Sequence, residues 1–211
     1  VPRATIDRSL AQATALATRL RDPYAAGNAL GVAGHIANLE GRWEESRSFF
    51  TRAAEIFRNE CVEVTPEIDF FETLIVYNLR WQGELGELGE RVPPLLKEFH
   101  ERGNQSQAVI TRLIAAFLLP LREDDVGRAD EVVLAASRCL EGQPFNLQHI
   151  FALEAALMIL LYRGDHEGAW RLLSEKRGAI VASGQLRMEF FEVVWLNLGA
   201  LVALAAGQPP R

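Results

Sequence analysis

The stretch Gly41-Arg42-Trp43-Glu44-Glu45-Ser46 is the strongest indication of the fold, because similar corners recur along the chain at nearly constant spacing. Each corner follows an apolar run and precedes a segment with helical periodicity. The steps between successive corners are 42, 41, 40 and 43 residues. A fixed period of this length is typical of helical solenoids, in which each helix hairpin buries its apolar face against the next. The corners begin at Gly41, Gly83, Asp124, Gly164 and Gly207.

The periodicity predicts an all-α fold, a right-handed solenoid of about ten antiparallel helices without strands. We expect one helical-repeat domain over residues 1–211, and the start Val1-Pro2-Arg3 indicates a fragment of a longer protein. The predicted repeats span approximately residues 24–62, 66–103, 105–142 and 146–184, with a last helix over 187–206.

Prolines mark two expected irregularities. Pro93 and Pro94 predict a broken turn after Gly83, followed by a regular helix from about Pro94 to Glu101, because proline cannot sit deep inside a helix without disrupting it. Pro120 falls in the last turn of the third hairpin's first helix, which we expect to bend or end there.

Composition excludes few functions, but it argues against nucleic-acid and membrane partners. Hydrophobic residues make up 49% of the 211 residues and charged residues 24%, as in ordinary soluble domains. The formal net charge of −6 argues against nucleic-acid binding, which needs clustered basic residues. No signal peptide and no apolar run of membrane-spanning length is visible, so we expect a cytoplasmic protein with no membrane partner. Cys61 and Cys139 form no metal-binding or disulfide pattern.

The first hairpin matches the tetratricopeptide pattern, in which small residues let two helices approach and a large apolar residue fills the gap beside them. Later hairpins match it in part, and their period of about 41 residues exceeds the roughly 34 of the standard repeat. The chain is therefore tetratricopeptide-like. The residues in the pattern positions are Gly34, Ser46, Phe50 and Ala53.

From about Cys61 onward the chain resembles the helical region that follows the kinase domain in bacterial multidomain serine/threonine protein kinases. This resemblance implies a regulatory or scaffolding segment beside a kinase, since the chain itself contains no kinase motif. The residues that carry it are 91–98 (RVPPLLKE), 101–104 (ERGN), 145–149 (FNLQH) with Ala152 and Leu153, and 161–165 (LYRGD) with Ala169 and Trp170.

No constellation of residues predicts catalysis, a metal site or a cofactor. The four histidines lack metal-ligand spacing, and we expect His149 to bond a neighbouring backbone group near the start of its helix. The acidic groups, such as Glu44-Glu45 and Asp124-Asp125, lie at corners, where negative charge caps the helix that follows. The sequence therefore predicts a protein that is not an enzyme.

The candidate partner-binding surface is the concave face that the first helices of the hairpins would build. Asparagine side chains can bind the backbone of a peptide, and Tyr and Trp offer rigid contact area, although Tyr77 and Trp81 could equally pack between repeats. The predicted contact residues are Asn28, His35, Asn38, Thr73, Tyr77, Arg80, Trp81, Glu154 and Tyr162.

These features favour a non-catalytic module of a kinase that binds a protein or peptide. The alternative is a ligand- or partner-sensing domain of a signalling ATPase or transcription activator, with a pocket around Trp81, Phe117 and Trp170. The last helix carries apolar residues without a covering helix after it, which predicts self-association through the C-terminal end. Those residues are Val194, Leu198, Leu201, Val202 and Leu204.

Overall fold

A computed structural model of the protein describes residues 2–208. It is 83% helical, and the described part of the chain contains no strand, which confirms the all-α prediction. It has ten helices if α6, a π-helical segment and α7 are counted as one. In chain order the elements are α1 Arg3–Leu20, α2 Pro23–Leu39, α3 Trp43–Glu60, α4 Thr65–Gln82, α5 Leu85–Glu101, α6 Gln105–Thr111, the π-helical segment Arg112–Ala116, α7 Leu118–Arg122, α8 Val126–Arg138, α9 Leu147–Tyr162, α10 His166–Ser183, a short 3-10 turn Gln185–Arg187 and α11 Glu189–Ala205.

Corners of two alternating series follow the ends of these helices. Within residues 2–208, every residue with a clearly positive φ belongs to one series or the other. We call helices that end at the first series A helices and helices that end at the second series B helices. The first series is Gly41, Gly83, Asp124, Gly164 and Gly207, as the sequence predicted, and the second is Arg21, Glu63, Gly103, Gly142 and Gly184.

The A-helix corners share one hydrogen bond. The N–H of the residue after each corner donates to a carbonyl five residues back, as in a Schellman motif, so the free carbonyls at the helix end gain a donor. Gly207 therefore ends α11 in the same way as the earlier corners end their helices. The bonds are Arg42–Ala37, Glu84–Leu79, Asp125–Pro120, Asp165–Leu160 and Gln208–Ala203, at 2.9–3.0 Å.

The segments that follow the first four corners bury the same three positions. These lie 5, 9 and 16 residues after the corner, a spacing that keeps them on one helical face. Burial of each large side chain among them contributes about 1.5–3 kcal/mol. All twelve residues are buried: Ser46, Phe50, Phe57, Leu88, Val92, Phe99, Ala129, Val133, Leu140, Ala169, Leu173 and Ile180.

Helix α2 approaches its neighbours closely because glycine lines its inner face. A Cβ on Gly34 would lie 2.5 Å from Phe50, and one on Gly31 would lie 2.6 Å from Phe71. The Ser46 hydroxyl donates to the Gly34 carbonyl at 2.8 Å across the same contact. The small and large residues of the first hairpin thus pack as the sequence predicted.

Helix α5 corrects the prediction of a broken segment. It is one continuous helix from Leu85 to Glu101, with Pro93 and Pro94 inside it. Both prolines are exposed, so the carbonyls that lose their donors lie on the solvent side of the helix. The opposite face buries Leu88, Val92, Leu95 and Phe99, and this apolar stripe outweighs the local cost of the prolines.

The third A helix is irregular ahead of Pro120 rather than at it. A π-helical segment, Arg112–Ala116, separates α6 from α7, and α7 continues past Pro120 to Arg122. Ala116 is the last residue of the π-helical segment. Its carbonyl receives no hydrogen bond from Pro120, because proline has no N–H. The proline therefore changes the helix one turn upstream and does not end it.

The contacts divide the chain into two compact units, Val1–Gln107 and Ala108–Arg211. The boundary falls inside α6. The single repeat domain over residues 1–211 stays a prediction.

Helix α11 is covered on one face, which corrects part of the expectation for the last helix. Val194, Leu198 and Val202 are buried in a cluster with Leu157 of α9 and Leu173 of α10. Leu201 and Leu204 are exposed, as expected. None of the described helices combines the length and apolar character that crossing a membrane requires.

Candidate functional site

An exposed, largely apolar surface runs along α2 and the start of α4 in the first unit. Its α2 members recur every three or four residues and so form one stripe on the helix. Two contacts join the helices: the Tyr24 hydroxyl donates to Glu67 at 2.8 Å, and the His35 ring centroid lies 5.9 Å from that of Phe70. We call this the α2–α4 surface and define it by Tyr24, Asn28, Val32, His35, Leu39 and Phe70, all exposed.

Four members of the α2–α4 surface are large hydrophobic residues. Val32 is 50% exposed and Leu39 is 60% exposed, and both lie within helix α2. Tyr24 and Phe70 add aromatic rings at the two sides. Contiguous exposed apolar surface of this kind marks interaction sites in soluble proteins.

His35 sits in the middle of the α2–α4 surface with part of its ring against aromatic neighbours. Its centroid is 5.2 Å from that of Phe50 in an edge-on arrangement, in addition to the Phe70 contact. Although the residue keeps solvent exposure, desolvation of the ring lowers the pKa of the imidazole below its usual value of 6.5. His35 is therefore held in the neutral form, which suits an apolar contact.

This pKa shift gives a prediction about stability and pH. A histidine with a lower pKa in the folded state binds fewer protons there than in the unfolded state, so the free energy of unfolding falls as pH decreases from neutral through 6.5. We expect this fall to be smaller in the His35→Gln variant. Urea titrations of both proteins between pH 7.5 and 5 test it, and identical pH dependence in the two would contradict the shift.

Asn28 also lies on the α2–α4 surface, but its amide donates to the Tyr24 carbonyl at 3.0 Å within the helix. Of the nine residues predicted to contact a partner, Asn28 and His35 are the two that this surface contains. The second N–H and the Oδ1 atom of the Asn28 amide are not used in that bond and can face a partner.

Asn38 does not lie on an exposed surface, contrary to its predicted place on the concave face. It is 7% exposed and donates to Asn78 Oδ1 at 2.6 Å. Asn78 in turn donates to Ser46 Oγ at 2.8 Å, and Ser46 donates to the Gly34 carbonyl. This buried chain of hydrogen bonds joins α2, α3 and α4, so Asn38 holds the hairpins together.

Two predicted residues of α4 are buried as well. Thr73 donates to the Asp69 carbonyl and contacts Gln107 Oε1, each at 2.9 Å. Tyr77 lies edge-on to Trp81, with 5.9 Å between the ring centroids. For Tyr77 the structure thus favours the alternative of packing between helices over direct contact with a partner.

Arg80 and Trp81 are partly buried in an aromatic cluster near the first-series corners. The Trp81 ring stacks on that of Trp43, with centroids 5.6 Å apart and an angle of 12°. The Arg80 guanidinium lies 5.6 Å from the Trp81 centroid, in cation–π range. This cluster links the first two corners and leaves Arg80 only partly accessible to a partner.

The remaining two predicted residues belong to the second unit. Glu154 is buried, 2% exposed, on α9. Tyr162 is exposed, and its hydroxyl donates to Asp124 at 2.9 Å, which raises the pKa of the phenol. Tyr162 thereby ties the end of α9 to the Asp124 corner.

Polar groups elsewhere act mainly as caps. The N–H of Asn146 donates to His149 Nδ1 at 3.2 Å, which confirms the expected role of His149. Asp125 accepts from the Arg128 N–H at the start of α8, as predicted for the corner acids. Across residues 2–208 no group of three or more His, Cys, Asp or Glu side chains is placed to hold a metal ion.

The pocket proposed for a sensing role does not take the expected form in the second unit. Phe117 is fully buried in the core. Trp170 lines an open groove of about 400 Å³ with Trp195, Arg177 and Leu196, between α10 and α11.

Sequence reasoning missed Tyr24, Val32, Leu39 and Phe70, because the search favoured polar residues that could bind a peptide backbone. A usable signal was present. Gly27, Gly31 and Gly34 mark the inner face of α2, and large apolar residues recur on the adjacent stripe, about 100° further round the helix.

No protein-family model matches this chain, and comparisons with curated proteins and with solved structures also find no match.

Proposed function

We propose that this protein is a non-catalytic helical-repeat module that binds a protein or peptide through the α2–α4 surface. The observation that carries the proposal is the stripe of exposed hydrophobic side chains on α2, continued by Phe70 on α4. Buried apolar and aromatic contacts supply most of the free energy of such interfaces. A partner would present apolar side chains to Val32 and Leu39.

The electrostatic setting of the surface restricts the partner further. His35 is neutral, and the carboxylate beside the surface, Glu67, already accepts a hydrogen bond from Tyr24. A partner therefore meets an apolar centre with a weakly negative margin, in a protein of net charge −6. This favours a segment with apolar residues flanked by Lys or Arg over an acidic one.

The larger architecture is part of the same proposal. A tetratricopeptide-like right-handed solenoid is supported by the two corner series and by the repeated burial of three positions after each corner. The association with a bacterial serine/threonine kinase in the cytoplasm is supported by the sequence resemblance described above. In that setting the module would recruit a substrate or regulator to the kinase.

Panning of a random peptide library against the protein tests the proposal. We expect enrichment of peptides with apolar residues and a basic flank, and an increase of at least about tenfold in Kd for the Val32→Asp variant, since burial of such a side chain is worth about 1.5–3 kcal/mol.

Leu134→Asp is the matched control, because Leu134 is similarly exposed, at 56%, but lies on α8 in the second unit. This variant should bind the peptides as the unchanged protein does. The proposed function fails if no peptide is enriched, or if both variants lose affinity equally.

A further inference from the structure

Helix α11 exposes a second apolar stripe in the second unit. Leu196 is 61% exposed and Leu204 is 79% exposed, while the opposite face is buried against α9 and α10. The stripe carries no charge over its last three turns and adjoins the groove lined by Trp170 and Trp195. Its members are Val193, Leu196, Asn197, Ala200, Leu201 and Leu204.

The position of this stripe corresponds to the face that a B helix covers in the first hairpin. Gly34 lies seven residues before the Gly41 corner and is in contact with Phe50 of α3. The residue seven before the Gly207 corner is Ala200, which is exposed. Thus α11 is an A helix whose B-facing side is open among the described residues.

Helix α1 is the complementary case. It ends at Arg21, a second-series corner, and is therefore a B helix. Ile6, Leu10 and Ala17 lie 15, 11 and 4 residues before that corner, the same distances as Leu88, Val92 and Phe99 before Gly103. Ile6, Leu10 and Ala17 therefore occupy in α1 the positions through which α5 packs against α4.

An open groove of about 580 Å³ lies between α1 and α2 in the first unit. Apolar atoms line it almost throughout, and Leu10 and Leu16 of α1 face Ala29 and Val32 of α2 across it. An A helix placed in this groove would pack against α1, which is a B helix.

The charges at the two surfaces are complementary. Arg19 and Arg21 at the end of α1 are exposed and form no ion pair within residues 2–208, and the same is true of Glu189 and Glu192 at the start of α11. In the α2–α3 pair the start of the A helix meets the end of the B helix, since Gly27 contacts Phe57. The same register would bring Glu192 next to Arg19.

We propose that the protein binds a second copy of itself head to tail, with α11 of one copy in the groove between α1 and α2 of the next. The two helices complete an A–B pair across the interface. Such a contact uses different surfaces on the two copies, so it propagates into a chain or closes into a ring.

Sedimentation velocity over a concentration series tests this with two charge-reversal variants, Glu192→Arg and Arg19→Glu. Each variant alone should raise the dissociation constant at least about tenfold, because it places like charges opposite each other. An equimolar mixture of the two should regain association, since every contact in it can pair Arg with Glu. Leu196→Asp should abolish association.

Three results would overturn the proposal. The unchanged protein could stay monomeric at all concentrations, or the mixture could fail to regain association. Loss of association with Leu196→Asp but not with Arg19→Glu would mean that two α11 helices pair with each other instead. Leu134→Asp, the same substitution on α8, controls for general effects of a new surface charge.

Discussion

The Gly34→Val variant is expected to lose about 3 kcal/mol of unfolding free energy, because a side chain at this position collides with the core. A Cβ alone would lie 2.5 Å from Phe50, whose ring is fully buried and packs against His35 and Phe71. Overpacking of this kind costs about 1–3 kcal/mol. Valine also adds two methyl groups and displaces the hydrogen bond from Ser46 to the Gly34 carbonyl. The expected loss of unfolding free energy therefore lies at the upper end of that range.

Thermal unfolding monitored by circular dichroism measures this effect, and we expect the Tm to fall by about 10 °C. Gly178→Ala is the matched control, since a Cβ there meets nothing within 4 Å and Gly178 is exposed within α10. That variant should gain about 0.5–1 kcal/mol from helix propensity. Effects of the same sign at the two positions would contradict the close approach of α2 and α3.

The Asn78→Leu substitution is expected to lower the free energy of unfolding by about 3 kcal/mol, because it breaks the buried chain of hydrogen bonds between α2, α3 and α4. Leucine has a similar volume, so the loss comes from polar groups left without partners. Asn38 loses its acceptor and Ser46 loses its donor from Asn78. Each such buried group costs about 1–3 kcal/mol.

A double-mutant cycle with Asn38→Leu separates this cause from a simple packing defect. Replacing both asparagines removes the stranded amide of Asn38, so the double variant should be more stable than the sum of the single effects predicts. Urea unfolding of the four proteins measures the coupling. Strictly additive losses would contradict a connected hydrogen-bond chain.

The corners and most helix ends could be predicted from the sequence because they are determined locally. A glycine with positive φ, an acidic cap and a change in apolar periodicity occupy only a few residues around Gly41 or Gly164. Asp165, for example, caps α10 by accepting from the Gly168 N–H three residues later. Such signals do not depend on the rest of the chain.

Burial, in contrast, depends on partners far away in sequence. The sequence around Asn38 does not reveal that Asn78, forty residues later, will meet its amide. Asn28 and Asn38 are equally polar, yet one is exposed and the other buried. Likewise Pro93 and Pro94 break a helix by local rules, and only the packing of Leu95 and Phe99 keeps α5 continuous. The candidate site was therefore predicted only in part.

Hydrogen–deuterium exchange of the protein with and without its most enriched library peptide tests the proposed function most directly, because it locates the bound segment. We predict slower exchange in α2 and at the start of α4, around Val32 and Phe70, with α8 unchanged. Protection confined to α10 and α11, or none at all under saturating peptide, would contradict the α2–α4 surface as the binding site.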